Sequence, residues 1–193
     1  MNTAILVLDL INDIVSPSGK TPSCAAHAAE RQIMAKANIA TRFARDKGWL
    51  VVHVKVGFSA HYAEHPLNSP VFGKAKGAQA LKLGEWGTDF HQELVVDAQD
   101  CILIKHRVSP FYGTPLDLLL RNNQVSRLLI SGVSSTWAVQ AAAREGHDRD
   151  YQIMIIEDAC AAATEEEHQL SMRQLSRIAR ILTSADLPSL TTT

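Results

Sequence analysis

Leu128-Leu129-Ile130-Ser131-Gly132-Val133-Ser134-Ser135-Thr136-Trp137-Ala138-Val139 opens on an apolar run and leads into the alanine-rich segment Val139 to Arg144. It reads as a strand, a tight turn and the start of a helix. A turn of that kind aims backbone N–H groups at one point, where they can hold a negative charge. Similar apolar runs lie at 4–8, 49–56, 101–104, 127–131 and 151–156, with a weaker one at 179–183. Longer segments of helical spacing separate them. Alternating strands and helices predict a three-layer α/β fold, a mostly parallel sheet covered by helices on both faces.

The helical segments carry their own punctuation. Ser23 to Lys47 places Ile33, Ala37, Ala40 and Ala44 on one face and stops at Gly48, which suits a left-handed cap. Thr114 and Pro115 form an N-cap and first-turn pair for a helix through Leu120. Thr164 with Glu167 reads as a capping box for a helix to about Ala179. The stretch 57–99 is the least periodic and holds His61, His65, Pro66, Pro70 and several glycines. It is expected to form a loop-rich excursion over one end of the sheet, where loops tend to carry specificity.

With 193 residues the chain is expected to form a single domain, 1–193, and it can bury one substantial core. At 46% hydrophobic and 20% charged, with net charge −1, its composition offers nothing to a polyanion, so nucleic acid is not an expected partner. No apolar stretch approaches the ~20 residues that span a bilayer, and Met1-Asn2-Thr3 passes straight into a strand-like run without a basic segment. The expectation is a cytoplasmic protein. Cys24, Cys101 and Cys160 are odd in number and far apart, which fits reduced thiols better than a disulfide framework.

Two further ionisable residues end apolar runs, Asp9 after Ala4-Ile5-Leu6-Val7-Leu8 and Lys105 after Cys101-Ile102-Leu103-Ile104. Ligands of open α/β sheets bind outside the carboxyl ends of the strands, so Asp9, Lys105 and the 132–138 turn converge on one place. Alone, Asp9 reads as a turn residue capping a local N–H, and Lys105 as a lysine snorkelling at an edge. At neighbouring strand ends the two neutralise one another and can stay in an apolar cleft, which favours a paired, functional reading.

These stretches resemble the isochorismatase-like hydrolase superfamily, the cysteine hydrolases that include nicotinamidases, N-carbamoylsarcosine amidohydrolases and isochorismatases. Leu6-Val7-Leu8-Asp9-Leu10-Ile11-Asn12-Asp13 is similar to the family's first strand with its acid. Lys105-His106-Arg107-Val108-Ser109-Pro110-Phe111-Tyr112-Gly113-Thr114-Pro115-Leu116 is similar to its lysine block, the most specific match. Gly132-Val133-Ser134 resembles the turn that carries the family's cis non-proline peptide, and Trp86-Gly87-Thr88 and Glu157-Asp158-Ala159 also sit where similar blocks occur. The family's nucleophilic cysteine lies six residues after that glycine. Here that position is Ala138.

The resemblance implies that Asp9 exchanges protons, that Lys105 is its electrostatic partner, and that the amides of Ser134 and Ala138 hold an oxyanion. Loss of the side chain at 138 removes covalent catalysis there and leaves those amides in place. Ser134, Ser135 and Thr136 read first as turn-capping hydroxyls, and Cys160 as a small buried side chain, with a substitute nucleophile the lesser reading of each. Some relatives that lack the cysteine cleave a vinyl ether, with the aspartate protonating the enol carbon and water capturing the cation. Ile11 stands where many relatives have glutamine. Its apolar side chain would raise the acid's pKa, whereas Lys105 would lower it.

Nicotinamidases of this superfamily hold a zinc-like ion through an Asp-x-His motif. Here the strand reads Val52-His53-Val54-Lys55, and His61 and His65 have helical spacing but are followed by Pro66 with no third ligand in view. No metal or other cofactor is expected. Trp86, Phe111, Tyr112 and Trp137 are expected either to wall a substrate pocket or to pack in the core. Three readings stay open: a hydrolase of a small organic substrate without the cysteine nucleophile, a cysteine amidohydrolase inactivated by alanine at 138, and a non-catalytic small-molecule binding protein. The resemblance also implies a homo-oligomer.

Overall fold

The computed structural model describes residues 2–190; the expected single domain 1–193 also takes in Met1 and 191–193, which lie outside the described residues. The six apolar runs become β1 (Thr3–Leu8), β2 (Leu50–Val56), β3 (Cys101–Lys105), β4 (Arg127–Val133), β5 (Gln152–Ala161) and β6 (Arg180–Leu182). They pair in parallel in the order β3-β2-β1-β4-β5-β6, with β1 and β4 at the centre. Every residue of β1 and β4 is buried, as expected where helices cover both faces of a parallel sheet.

Among the described residues seven α-helices accompany the sheet: α1 (Asn12–Val15), α2 (Ala25–Glu30), α3 (Ile33–Asp46), α4 (Ala75–Ala78), α5 (Leu116–Asn122), α6 (Gln140–His147) and α7 (Glu165–Leu175). Alternation along β1 sorts the core into two layers. Ile5 and Val7 pack with Ile33, Ala37, Ala40 and Ala44 of α3 on one face. Ala4, Leu6 and Leu8 pack with Leu116, Leu120, Val139, Ala142, Ala143 and Leu175 on the other. Each fully buried Leu or Ile in these layers stabilises the fold by about 1.5–3 kcal/mol, and truncating one such as Leu6 to Ala costs about 2–5 kcal/mol.

Three expectations change. The helix foreseen over Ser23 to Lys47 is two helices, because Gln32 is left-handed at φ 53° between α2 and α3. No glycine or proline marks that break. It frees Arg31 to donate from Nε to Cys160 O at 3.0 Å and from Nη2 to the Glu157 carboxylate at 2.7 Å. The last turns foreseen to Ala179 are not helical, since α7 ends at Leu175, although Thr164 does cap it by accepting from the Glu167 N–H at 3.2 Å. Finally, β5 bulges against β4: Ile130 faces Ile155, but Gly132 faces Cys160, so the intervening residues leave the ladder and carry Glu157 under the 134–138 turn. Gly48 meets its expectation, with φ +65° just past α3.

Candidate active site

Asp9 follows β1 in a left-handed conformation, φ 55°, which aspartate tolerates better than most residues. Its N–H donates to Val54 O at 2.8 Å, so the pairing with β2 runs one residue past β1. Oδ1 of its carboxylate accepts the Val56 N–H at 2.8 Å, and Oδ2 meets the Lys105 ammonium at 2.7 Å. Lys105 also donates to Val108 O at 2.9 Å and is only 1% exposed. The two residues do not end neighbouring strands, as the sequence suggested, because β2 lies between β1 and β3. Two ladder spacings amount to about 10 Å, a gap that the long lysine stem can cross.

Burial pushes the Asp9 carboxyl above its ordinary value, while Lys105 and the Val56 N–H pull it down. Asp9 and Lys105 line a cavity of about 150 Å3, with Val133, Ser134, Trp137 and Ala138 on its other wall. The Val133–Ser134 peptide is cis. Gly132 has φ +112°, and a Cβ there would sit 2.1 Å from Leu8 O, so only glycine lets β4 pass β1 at this point. Residues Ser135–Val139 then form one π-helical turn, Val139 N–H donating to Ser134 O at 3.2 Å, before α6 begins.

The pattern of the family described as Isochorismatase domain matches residues 3–186. The chain belongs to the isochorismatase family. It is 33% identical over 180 residues, 93% of this chain and 90% of the other, to the uncharacterized isochorismatase family protein YecD of Escherichia coli O157:H7. An isochorismatase family protein from Desulfovibrio vulgaris superposes with a TM-score of 0.87 at 22% identity over 97% of both chains. N-carbamoylsarcosine amidase from Thermoplasma acidophilum superposes with a TM-score of 0.75 at 26% identity over 95% of this chain and 97% of that one.

Of the four aromatic residues considered for the pocket wall, this isochorismatase-family chain brings only Trp137 to the cavity, where it is 56% exposed. Phe111 is 4% exposed and is core: its ring stacks on Tyr151 at 6.2 Å under Arg149. Trp86 and Tyr112 are 52% and 65% exposed and do not line the cavity. Trp86 serves through its backbone instead, its carbonyl accepting from the Asn12 amide at 2.9 Å.

The nearby hydroxyls are committed elsewhere. Ser134 Oγ accepts the Thr136 N–H at 3.2 Å and lies 2.7 Å from Thr136 Oγ1. Ser135 turns to the opposite side, 2.8 Å from Nδ1 of His168, whose Nε2 meets Glu157 at 3.2 Å. Cys160 is buried outside the cavity, donates to Ile156 O at 3.3 Å and has its pKa pushed up to about 12 by burial.

His53 and His65 do not meet. His53 Nε2 is taken by Asp100 at 3.0 Å and His65 Nε2 donates to Phe72 O at 2.6 Å. Among the described residues no group of three or more His, Cys, Asp or Glu could hold a metal ion, so the residues do not fit the zinc site of nicotinamidases. Again among the described residues, no helix is long and apolar enough to cross a membrane.

Sequence reasoning missed Cys24 and Lys74, which also line the cavity. Burial pushes the Cys24 thiol up, against the Ser23 and Ser134 hydroxyls, which lower it. No periodic signal marks either residue. Lys74 does fall within the 57–99 stretch expected to carry specificity, and Val71, Phe72, Ala75 and Leu81 of the same stretch wall the cavity beside it.

Proposed function

We propose that this chain is a hydrolase of a small organic substrate, with Asp9 as the proton carrier, Lys105 as its electrostatic partner and no covalent nucleophile at 138. The observation that carries the reading is the 2.7 Å Asp9–Lys105 pair in the wall of a largely apolar cavity that also holds Ser134 and Ala138. A carboxyl raised by burial can deliver its proton to the enol carbon of a vinyl ether. Water adds to the resulting oxocarbenium carbon, its proton returns to the Asp9 carboxylate, and the hemiketal collapses to a carbonyl compound and an alcohol. Lys105 holds the carboxylate in the interval, while the amides of Ser134 and Ala138 would serve an oxyanion on the amide-cleaving route.

The test is turnover of vinyl ethers and of small amides by the purified protein and by its Asp9→Asn variant. Vinyl ether cleavage that Asp9→Asn abolishes is the expected result. Amide cleavage gained only in Ala138→Cys would favour an amidohydrolase that lacks its thiol, a reading to which the likeness to an N-carbamoylsarcosine amidase lends support. Ligand binding without turnover of either class would favour a binding protein. The reading carries with it one domain over 1–193, a small-molecule substrate with neither nucleic acid nor membrane as partner, no cofactor, a cytoplasmic location and self-association. Light scattering after size exclusion checks the last.

A further inference from the structure

Among the described residues three charged side chains line the cavity, those of Asp9, Lys105 and Lys74. The first two neutralise one another at 2.7 Å. Lys74 is exposed, and among the described residues no carboxylate lies within ion-pair distance of it. The cavity therefore carries an excess positive charge on its outer rim and none in its depth. Val71 and Trp137, two of the large apolar side chains that the fold leaves exposed, line the same cavity. Further in, Ile14, Val56, Leu81 and Val108 leave the walls apolar. A cavity of about 150 Å3 has room for a molecule of benzene's size.

We infer that the ligand is a small monocarboxylate with a compact unsaturated or aromatic body, and that Lys74 is the residue that selects its charge. This rests on the cavity being the functional site. The carboxylate would sit at the rim against Lys74, the flat body would lie along Trp137, and the far end would reach Asp9 and Lys105. Recognition and chemistry are thereby separated by the length of the substrate: the buried pair, already neutralised, has no net charge to offer an anion, whereas Lys74 has no ion-pair partner among the described residues to leave. The attraction of an exposed ammonium for an anion is modest and weakens at high salt.

Benzoate and benzamide share one shape and differ in charge, which makes them suitable probes. Titrated calorimetrically into the intact protein at low salt, benzoate is expected to bind about fivefold tighter than benzamide. In Lys74→Met the two affinities become equal, in Lys74→Arg the preference returns, and in the wild-type protein it shrinks as salt is raised. Equal affinities in the wild type, a preference that survives in Lys74→Met, or no binding of either probe would each overturn the inference. Matching melting temperatures for wild type and Lys74→Met exclude loss of folding as the cause. The reading of Asp9 and Lys105 fails separately, through the turnover assays, and benzamide binding at Asp9 and Lys105 without any charge preference would leave it standing.

Discussion

The 133–139 turn has two faces, and both carry groups of the kind that do chemistry. On one face Asp9 and Lys105 stand 2.7 Å apart beside a cavity. On the other, Ser135, His168 and Glu157 form a serine–histidine–carboxylate chain at 2.8 and 3.2 Å, continued by Arg31 at 2.7 Å. By distances alone the second resembles a catalytic triad more closely than the first. Ser135 and His168 are nonetheless fully buried and do not line the cavity that holds Asp9 and Lys105, and Ser171 of α7 locks Ser135 by donating to its carbonyl at 2.7 Å. Access separates the two faces: the open one can bind and react, while the sealed one fastens the turn to α7.

The largest effect should come from breaking the open pair. Lys105→Met leaves the Asp9 carboxylate buried without its cation and is expected to cost about 3–5 kcal/mol in urea unfolding. The Asp9→Asn/Lys105→Met double variant should recover much of that loss, because it removes both charges. A double variant no more stable than Lys105→Met would mean that the pair is not an energetic unit.

The sealed face should give a smaller loss. His168→Ala leaves the buried Ser135 hydroxyl without its imidazole partner and leaves Arg31 as the remaining partner of the Glu157 oxygen, a cost of about 1–3 kcal/mol by the same measurement. If the sealed chain only fastens the turn, Ser135→Ala should leave turnover nearly unchanged. Loss of turnover comparable to that of Asp9→Asn would reverse the assignment of the two faces.

A thiol can report on the open face directly. Ala138→Cys is expected to react with iodoacetamide at pH 7 about tenfold faster than Cys24, whose thiol burial holds up, because Lys105 would favour the thiolate at 138. Peptide mapping by mass spectrometry separates the two labels. Adding Asp9→Asn should remove the advantage, and equal rates in its presence and absence would place position 138 outside the reach of the pair.

The smallest effect is on acid stability near the sealed face. Glu165 is lowered to about 2, first by the Gln169 side chain and then by His27, and Glu157 is lowered chiefly by His168. A carboxyl depressed in the folded state contributes stability that is present above its unfolded value of about 4.3 and is lost as pH falls through the folded one. Unfolding free energy should therefore drop between about pH 4.5 and 2, and Glu165→Gln should flatten that drop. The Glu165 side chain is over half exposed, so the difference stays below about 1 kcal/mol.

The sequence made the strands legible because each buried strand must be a short apolar run, and Asp9, Lys105, Ser134, Trp137 and Ala138 do come together where those runs end. What it hid depends on partners far along the chain. The break at Gln32 goes with contacts between Arg31 and residues more than a hundred positions away, and the β5 bulge is visible only against β4. Phe111 sits inside the most specific motif yet faces the core, since a motif reports which residues recur and not which way each side chain turns. Lys74 lies in a segment without a period, and Cys24 stands at the very start of the helical segment read from Ser23, away from the apolar face that its spacing defines.

Asp9 and Lys105 reach each other over β2, with Val56 registered opposite Lys105 and Leu8 opposite Val54. A one-residue slip of either ladder displaces a strand by about 3.3 Å and turns its side chains to the opposite face. The salt link therefore acts as a gauge across three strands, closing only when both registers are right. A chain that condenses in a wrong alignment is left with two orphan charges in its interior, so the residues that equip the pocket also proofread the assembly of the sheet.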